Sequence, residues 1–113
     1  MKKLFFTAIG FMAFSFGIQA QSPVVTDTLW VNGVCGMCEE RIENAAYIPG
    51  VKKADWNVDT HQLVLIYKSD KTNLTEIQES IAAVGHDTRD IKATAEQYAQ
   101  IHHCCKYRDH APH

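Results

Sequence analysis

The chain has 113 residues, four of them cysteine and six histidine, with a formal charge of −2 at pH 7. Its length leaves room for one small core of about 90 residues once a leading segment is set aside. Its Lys and Arg are scattered rather than clustered in runs, which excludes a nucleic-acid-binding surface.

Lys2 and Lys3 precede an apolar run from Leu4 to Phe16, then Gly17, Ile18, Gln19 and Ala20. This is the charged, apolar, small-residue order of a secretory signal peptide, so residues 1–20 are expected to be removed after Ala20. The run falls short of the roughly 20 apolar residues that cross a bilayer, and Gln21, Ser22 and Pro23 turn polar at once. Losing Lys2 and Lys3 takes the charge to −4. No cysteine closely follows the cleavage point to carry a lipid. The mature chain is thus expected to be exported, periplasmic in a Gram-negative cell, monomeric and not stably inserted in the membrane.

Thr26 to Val31 alternates with β-branched and aromatic residues, which predicts a strand with Leu29 and Val31 facing the core. Asn32 and Gly33 break it. After Cys38, Ile42, Ala45, Ala46 and Ile48 recur at helical spacing until Pro49 and Gly50 stop them. Val51 to Val58, with Ala54, Trp56 and Val58 in phase, and Gln62 to Tyr67, with Leu63, Leu65 and Tyr67 in phase, predict a hairpin. Asn73 and Glu76 predict a capping box, followed by Leu74, Ile77, Ile81 and Val84 on one helical face and Gly85 as the stop. A last short strand over His86 to Ile91 would complete the order βαββαβ. That order is an α+β, ferredoxin-like sandwich, two helices on one face of a four-stranded antiparallel sheet. Beyond it, Thr94 and Gln97 predict a cap for a short C-terminal helix carrying Tyr98, Ile101 and Cys105. The open sheet face would show Trp30, Val64 and Ile66, an apolar patch. Either the tail helix covers it, with Tyr98 and Ile101 on Trp30, or a partner does.

Cys35-Gly36-Met37-Cys38 falls between the first strand and the first helix. Unpaired N–H groups and the positive end of the dipole at a helix N-terminus favour thiolate over thiol. Two intervening residues let both sulfurs meet one ion, and sulfur donors select Cu(I), Zn, Cd or Hg over hard cations. Gly33 and Gly36 are expected to let the loop bend around that ion. A disulfide framework is the competing use of cysteines in an exported chain. Two local pairs at opposite ends do not resemble dispersed half-cystines, and bonding adjacent Cys104 and Cys105 demands a strained ring. A reversible Cys35–Cys38 disulfide in the metal-free state remains open.

With these residues the chain, from Thr26 to about Ile91, resembles the heavy-metal-associated domain of copper chaperones, copper-transporting ATPases and exported mercury-binding proteins. The resemblance rests on Val31-Asn32-Gly33, the cysteine pair, Ile42, Pro49-Gly50-Val51, the hairpin, and Ala82-Ala83-Val84-Gly85. It implies a domain over residues 24–92 that binds a soft metal, Cu(I) first and Hg(II), Zn(II) or Cd(II) next, and exchanges it with a protein such as a transporter. Two departures stand out. The loop before Cys35 is one residue shorter than the family's, with Met37 inside the pair, and His86 follows Gly85 where the family often has an aromatic or a Lys.

In the ferredoxin-like fold the loop at Gly85 lies beside the metal loop, so His86 is a candidate third ligand or hydrogen-bond donor to a thiolate, with a bland surface residue as the alternative. Residues 93–113 carry His102, His103, Cys104, Cys105, Tyr107, Arg108, His110 and His113, a Cys/His-containing extension that resembles the terminal Cys-Cys element of small exported relatives. Three placements are open. Cys104 or Cys105 folds back to join Cys35 and Cys38, the tail binds an ion by itself, or its cysteines pair oxidatively. The candidate metal ligands are therefore Cys35, Cys38, Cys104, Cys105 and His86. No Ser-His-Asp arrangement in motif context or phosphate loop points to an enzyme. The alternative activity is a thiol–disulfide oxidoreductase using the same C-x-x-C, although the chain is short for that fold and Pro49 and Pro112 are misplaced for it.

Overall fold

A computed structural model describes residues 23–101 and 105–109. Its elements follow the predicted order: β1 Val24–Trp30, α1 Gly36–Ala46, β2 Val51–Trp56, β3 Gln62–Lys68, α2 Leu74–Ala83, α3 Ala95–Ala99, and a 3-10 turn over Tyr107–Asp109. The predicted signal peptide, Cys104, His102, His103, His110 and His113 lie outside the described residues. No helix among the described residues is long and apolar enough to cross a membrane.

The sheet has the order β1-β3-β2, with both pairs antiparallel. Alternation decides its faces: Leu29, Ala54, Trp56, Leu63, Leu65 and Tyr67 are buried on one side, as their phase requires. Ile42 and Ala46 of α1 and Ile77 and Ile81 of α2 close that core from above. Two bonds tie the helices together, from Ser80 Oγ to the Ala45 carbonyl and from Arg41 Nη2 to the Val84 carbonyl, both at 2.6 Å. The second places a cation on the C-cap of α2, where the helix dipole is negative. Val58 was expected in phase with Trp56, but β2 has ended by then and the side chain is exposed.

The fold is the ferredoxin-like α+β arrangement, with its fourth strand reduced to an isolated bridge between Val31 and Thr88. Two backbone bonds flank that bridge, from Asn32 N–H to the Asp87 carbonyl at 2.9 Å and from Arg89 N–H to the Trp30 carbonyl at 3.0 Å. The strand expected over His86 to Ile91 goes no further because the backbone finds other partners. Thr88 N–H bonds the Ile91 carbonyl at 2.8 Å, and Asp90 N–H bonds Oε1 of the buried Gln78 at 2.8 Å. The resulting turn, fastened to α2, sends the chain out on the helix side of the molecule.

That exit corrects the expected position of the tail. Tyr98 and Ile101 do not cover Trp30: Ile101 packs on Gly85 at the end of α2, and Tyr98 meets the edge of Tyr107 with ring centres 5.1 Å apart. Gln100 Nε2 reaches the Ala83 carbonyl at 3.3 Å. Trp30 faces His61 instead, and Val64 is exposed. The predicted caps are present. Asn73 Oδ1 accepts Glu76 N–H at 2.9 Å, and Thr94 and Gln97 form a reciprocal capping box.

Gly50 turns the chain from α1 into β2 with φ of +103°, and a Cβ there would stand 2.8 Å from Lys71 Cβ. Gly50→Ala is expected to lower stability by about 1–3 kcal/mol. Urea denaturation of the reduced protein checks this, and an unchanged midpoint would show that the turn tolerates a side chain.

Candidate metal centre

The cysteine loop is pinned on both sides before it reaches Cys35. Val31 N–H bonds the His61 carbonyl at 2.9 Å, and the Val31 carbonyl accepts the Trp56 indole N–H at 3.0 Å. Trp56 is buried beneath the loop and stacks on His61, ring centres 5.6 Å apart. Gly33 lies so close to this floor that a Cβ would stand 3.0 Å from both Cys38 Cβ and the Trp56 ring. Its role is close packing, since its φ is not positive, and Gly36 has open space around it. Neither glycine supplies the backbone freedom expected from the sequence.

Cys35 is the N-cap of α1, and its carbonyl accepts Glu39 N–H at 3.1 Å. Cys38 lies in the first turn with its sulfur 3.4 Å from Val34 N–H. The two sulfurs are 3.7 Å apart, and Cys105 Sγ from the tail lies 3.6 Å from Cys35 Sγ. All three fall within 4.8 Å of one another. Cys38 and Cys105 are buried, Cys35 is partly open to solvent, and all are free thiols. Exposed Met37 stands at the rim.

The environment separates these thiols. Burial pushes Cys35 upward but is outweighed by the N–H groups of Cys38 and Met37 and the thiols of Cys105 and Cys38, leaving it below the ordinary value. The N–H effect is the field of the helix start, without a cap hydrogen bond. Burial dominates at Cys38 and raises it, and raises Cys105 further, with Cys38 and Cys35 adding to the rise.

His86 is fully buried, but its nitrogens lie outside the cluster of three sulfurs. Nδ1 is 2.9 Å from the Asn32 carbonyl, which can only accept, so the proton is assigned there and Nε2 is left without a hydrogen-bond partner. Burial lowers its pKa and keeps the ring neutral. His86 thus fastens the cysteine loop while Tyr107 stacks on its ring, centres 5.5 Å apart.

Three residues that place the sulfurs were not singled out by sequence reasoning in these roles. Trp56 reads as an ordinary core aromatic, Asp87 carries no motif, and Tyr107 and Arg108 read only as part of a ligand-rich tail. Arg108 pairs with the nearly buried Asp87 at 2.7 Å, and Asp87 Oδ1 also accepts Ala93 N–H at 2.8 Å. A second cluster, Glu39, Glu43 and Asp55, lies on the surface of α1 and β2. Glu43 there is committed to Trp56 N–H at 2.9 Å.

The heavy-metal-associated domain family matches residues 28–87. The fold is similar to the CopZ metallochaperone, at 30% identity and a TM-score of 0.54, covering 57% of this chain and 98% of that one. Oxidized MerP from Ralstonia metallidurans CH34 aligns at 28% identity and a TM-score of 0.55, covering 58% and 94%. The water-soluble region of the P-type ATPase CopA from Bacillus subtilis aligns at 31% identity and a TM-score of 0.55, covering 61% of this chain and 47% of that one. Comparison with curated proteins gives no match.

Exposure and thiolate character together rank the sulfurs. In the reduced, metal-free chain at neutral pH, iodoacetamide is expected to modify Cys35 at least about tenfold faster than Cys38 or Cys105. Peptide mass mapping over time reads the order, and a Cys105 that reacts as fast as Cys35 would mean the tail is not docked.

Proposed function

Because the chain belongs to the heavy-metal-associated domain family, we propose that it binds one Cu(I) ion through Cys35, Cys38 and Cys105 and handles that ion in the cell envelope. The observation that carries this reading is the convergence of three sulfurs from two distant segments on one point. With metal–sulfur bonds of about 2.3 Å, two sulfurs on opposite sides of an ion stand about 4.6 Å apart, and three around it about 4.0 Å apart. Separations of 3.6 and 3.7 Å lie nearer the three-sulfur figure.

The donor set favours a soft ion, and Cu(I) accepts three thiolates without a fourth ligand, whereas a structural Zn(II) site is closed by four. Copper also appears in the names of similar structures, a copper binding domain of the P-type ATPase HMA7 among them, while the MerP likeness keeps Hg(II) as the competing cargo. The partly open Cys35 is the side from which a thiolate of a receiving protein, such as a transporter, would enter and displace the other two sulfurs in turn. Buried Cys38 and Cys105 hold the ion until then. Cys104 lies beside this set in sequence, and His86 supports it from below rather than joining it. Residues 1–20 deliver the chain to the envelope, so the N-terminus of the mature protein is expected at Gln21.

Competition between the reduced protein and a Cu(I) chelator tests the ligand set. Cys35→Ser/Cys38→Ser is expected to weaken binding by at least about a hundredfold, about 2.7 kcal/mol, and Cys105→Ser by about tenfold. Cys104 is kept in both, so wild-type affinity in Cys105→Ser would remove the tail from the site. Wild-type affinity in the double variant would overturn the reading as a whole.

A further inference from the structure

The sulfur of Cys105 comes from a segment that cannot hold itself in place. Before it lies a five-residue helix and after it a three-residue 3-10 turn, both far below the length at which a helix is stable alone. Its position is set by the next two residues but one. The Tyr107 hydroxyl donates to the Gly85 carbonyl at 2.7 Å and accepts Asp87 N–H at 2.9 Å, while its ring lies between His86 and the edge of Tyr98. Arg108 Nη2 reaches Asp87 Oδ1 at 2.7 Å and the Ala93 carbonyl at 2.8 Å, and its guanidinium covers the Tyr98 ring at 4.4 Å. Asp87 is only 7% exposed, so its charge depends on that partner.

We propose that Tyr107 and Arg108 are positioning residues that set the coordination number of the bound ion, by docking the tail on Gly85-His86-Asp87 and so holding Cys105 over Cys35 and Cys38. This rests on the reading of Cys105 as a third ligand. With the tail docked, the third sulfur is already at the site and its ordering has been met by contacts that involve no metal. With the tail released, Cys105 becomes a ligand on a loose chain whose effective concentration at the ion falls with its freedom, and the site reverts to the Cys35–Cys38 pair. The domain itself is untouched by that release, because Tyr107 and Arg108 lie beyond every element of the sheet and of its two helices.

The test uses the full mature chain loaded with one equivalent of Cu(I), with X-ray absorption counting the sulfurs and chelator competition giving the affinity. Three sulfurs are expected in the wild type. In Arg108→Ala, and in Tyr107→Phe, which keeps the stacking ring and removes only the hydroxyl, the count should fall toward two and the affinity by about tenfold, the value of Cys105→Ser. The far-UV circular dichroism should not change, which a loss of folding would not permit. Three sulfurs at wild-type affinity in both variants, beside a three-sulfur wild type, would overturn the positioning role alone. Two sulfurs in the wild type would overturn the three-ligand reading and this inference with it.

Discussion

Both sulfur-bearing segments hang from the same three residues, Gly85, His86 and Asp87. The cysteine loop is fastened by Asn32 N–H on the Asp87 carbonyl and by the Asn32 carbonyl on His86 Nδ1. The tail is fastened by the Tyr107 hydroxyl on the Gly85 carbonyl and Asp87 N–H, and by Arg108 on the Asp87 carboxylate. One tripeptide therefore fixes the distance between Cys35 and Cys105, which are 70 positions apart. Gly85 can serve because its φ of +107° and missing side chain leave Ile101 room against the end of α2.

Beneath this hinge the core supplies rigidity. Trp56 is the floor of the loop, and its indole bond to the Val31 carbonyl satisfies a buried N–H while holding the end of β1 down. Gly33 then brings the backbone to van der Waals distance, so Cys38 is packed as tightly as any core residue. A buried thiol resists ionising, and both Cys38 and Cys105 are raised on that account. A cation between the sulfurs reverses the balance, because binding and loss of the thiol protons are one equilibrium. The same burial that keeps the empty site neutral therefore makes the thiolates strong ligands once a soft ion is present.

Much of this was legible in the residues. Phase alone separated Leu63, Leu65 and Tyr67 from the open face, and the Thr94–Gln97 capping box announced α3. The pair at the start of α1 followed from its place between a strand and a helix. What could not be read were interactions between segments with no local pattern. Gln78 sits on a helical face as an unremarkable polar residue, yet its side chain turns residues 88–91 away from the sheet, shortens the fourth strand to a bridge and sends the tail to the helix side. His86 was visible as a nitrogen donor near the metal loop, but its tautomer and its bond to Asn32 depend on where Val31 ends. Asp87, the partner of Arg108, has nothing in its sequence context to mark it.

The family match ends at Asp87. Everything that follows adds one sulfur to a two-sulfur site, and it is attached through the last residues of the shared domain rather than through the metal loop itself. That arrangement has a thermodynamic consequence. If the ion is held by three sulfurs, docking of the tail and binding of the ion are linked, and each strengthens the other by the same free energy. An ion taken up at Cys35 and Cys38 draws the tail down, and a partner surface that competes for Gly85, His86 or Asp87 weakens the hold on the ion without touching a sulfur. Retention and release would then be two states of one hinge, separated by the few hydrogen bonds of Tyr107 and Arg108.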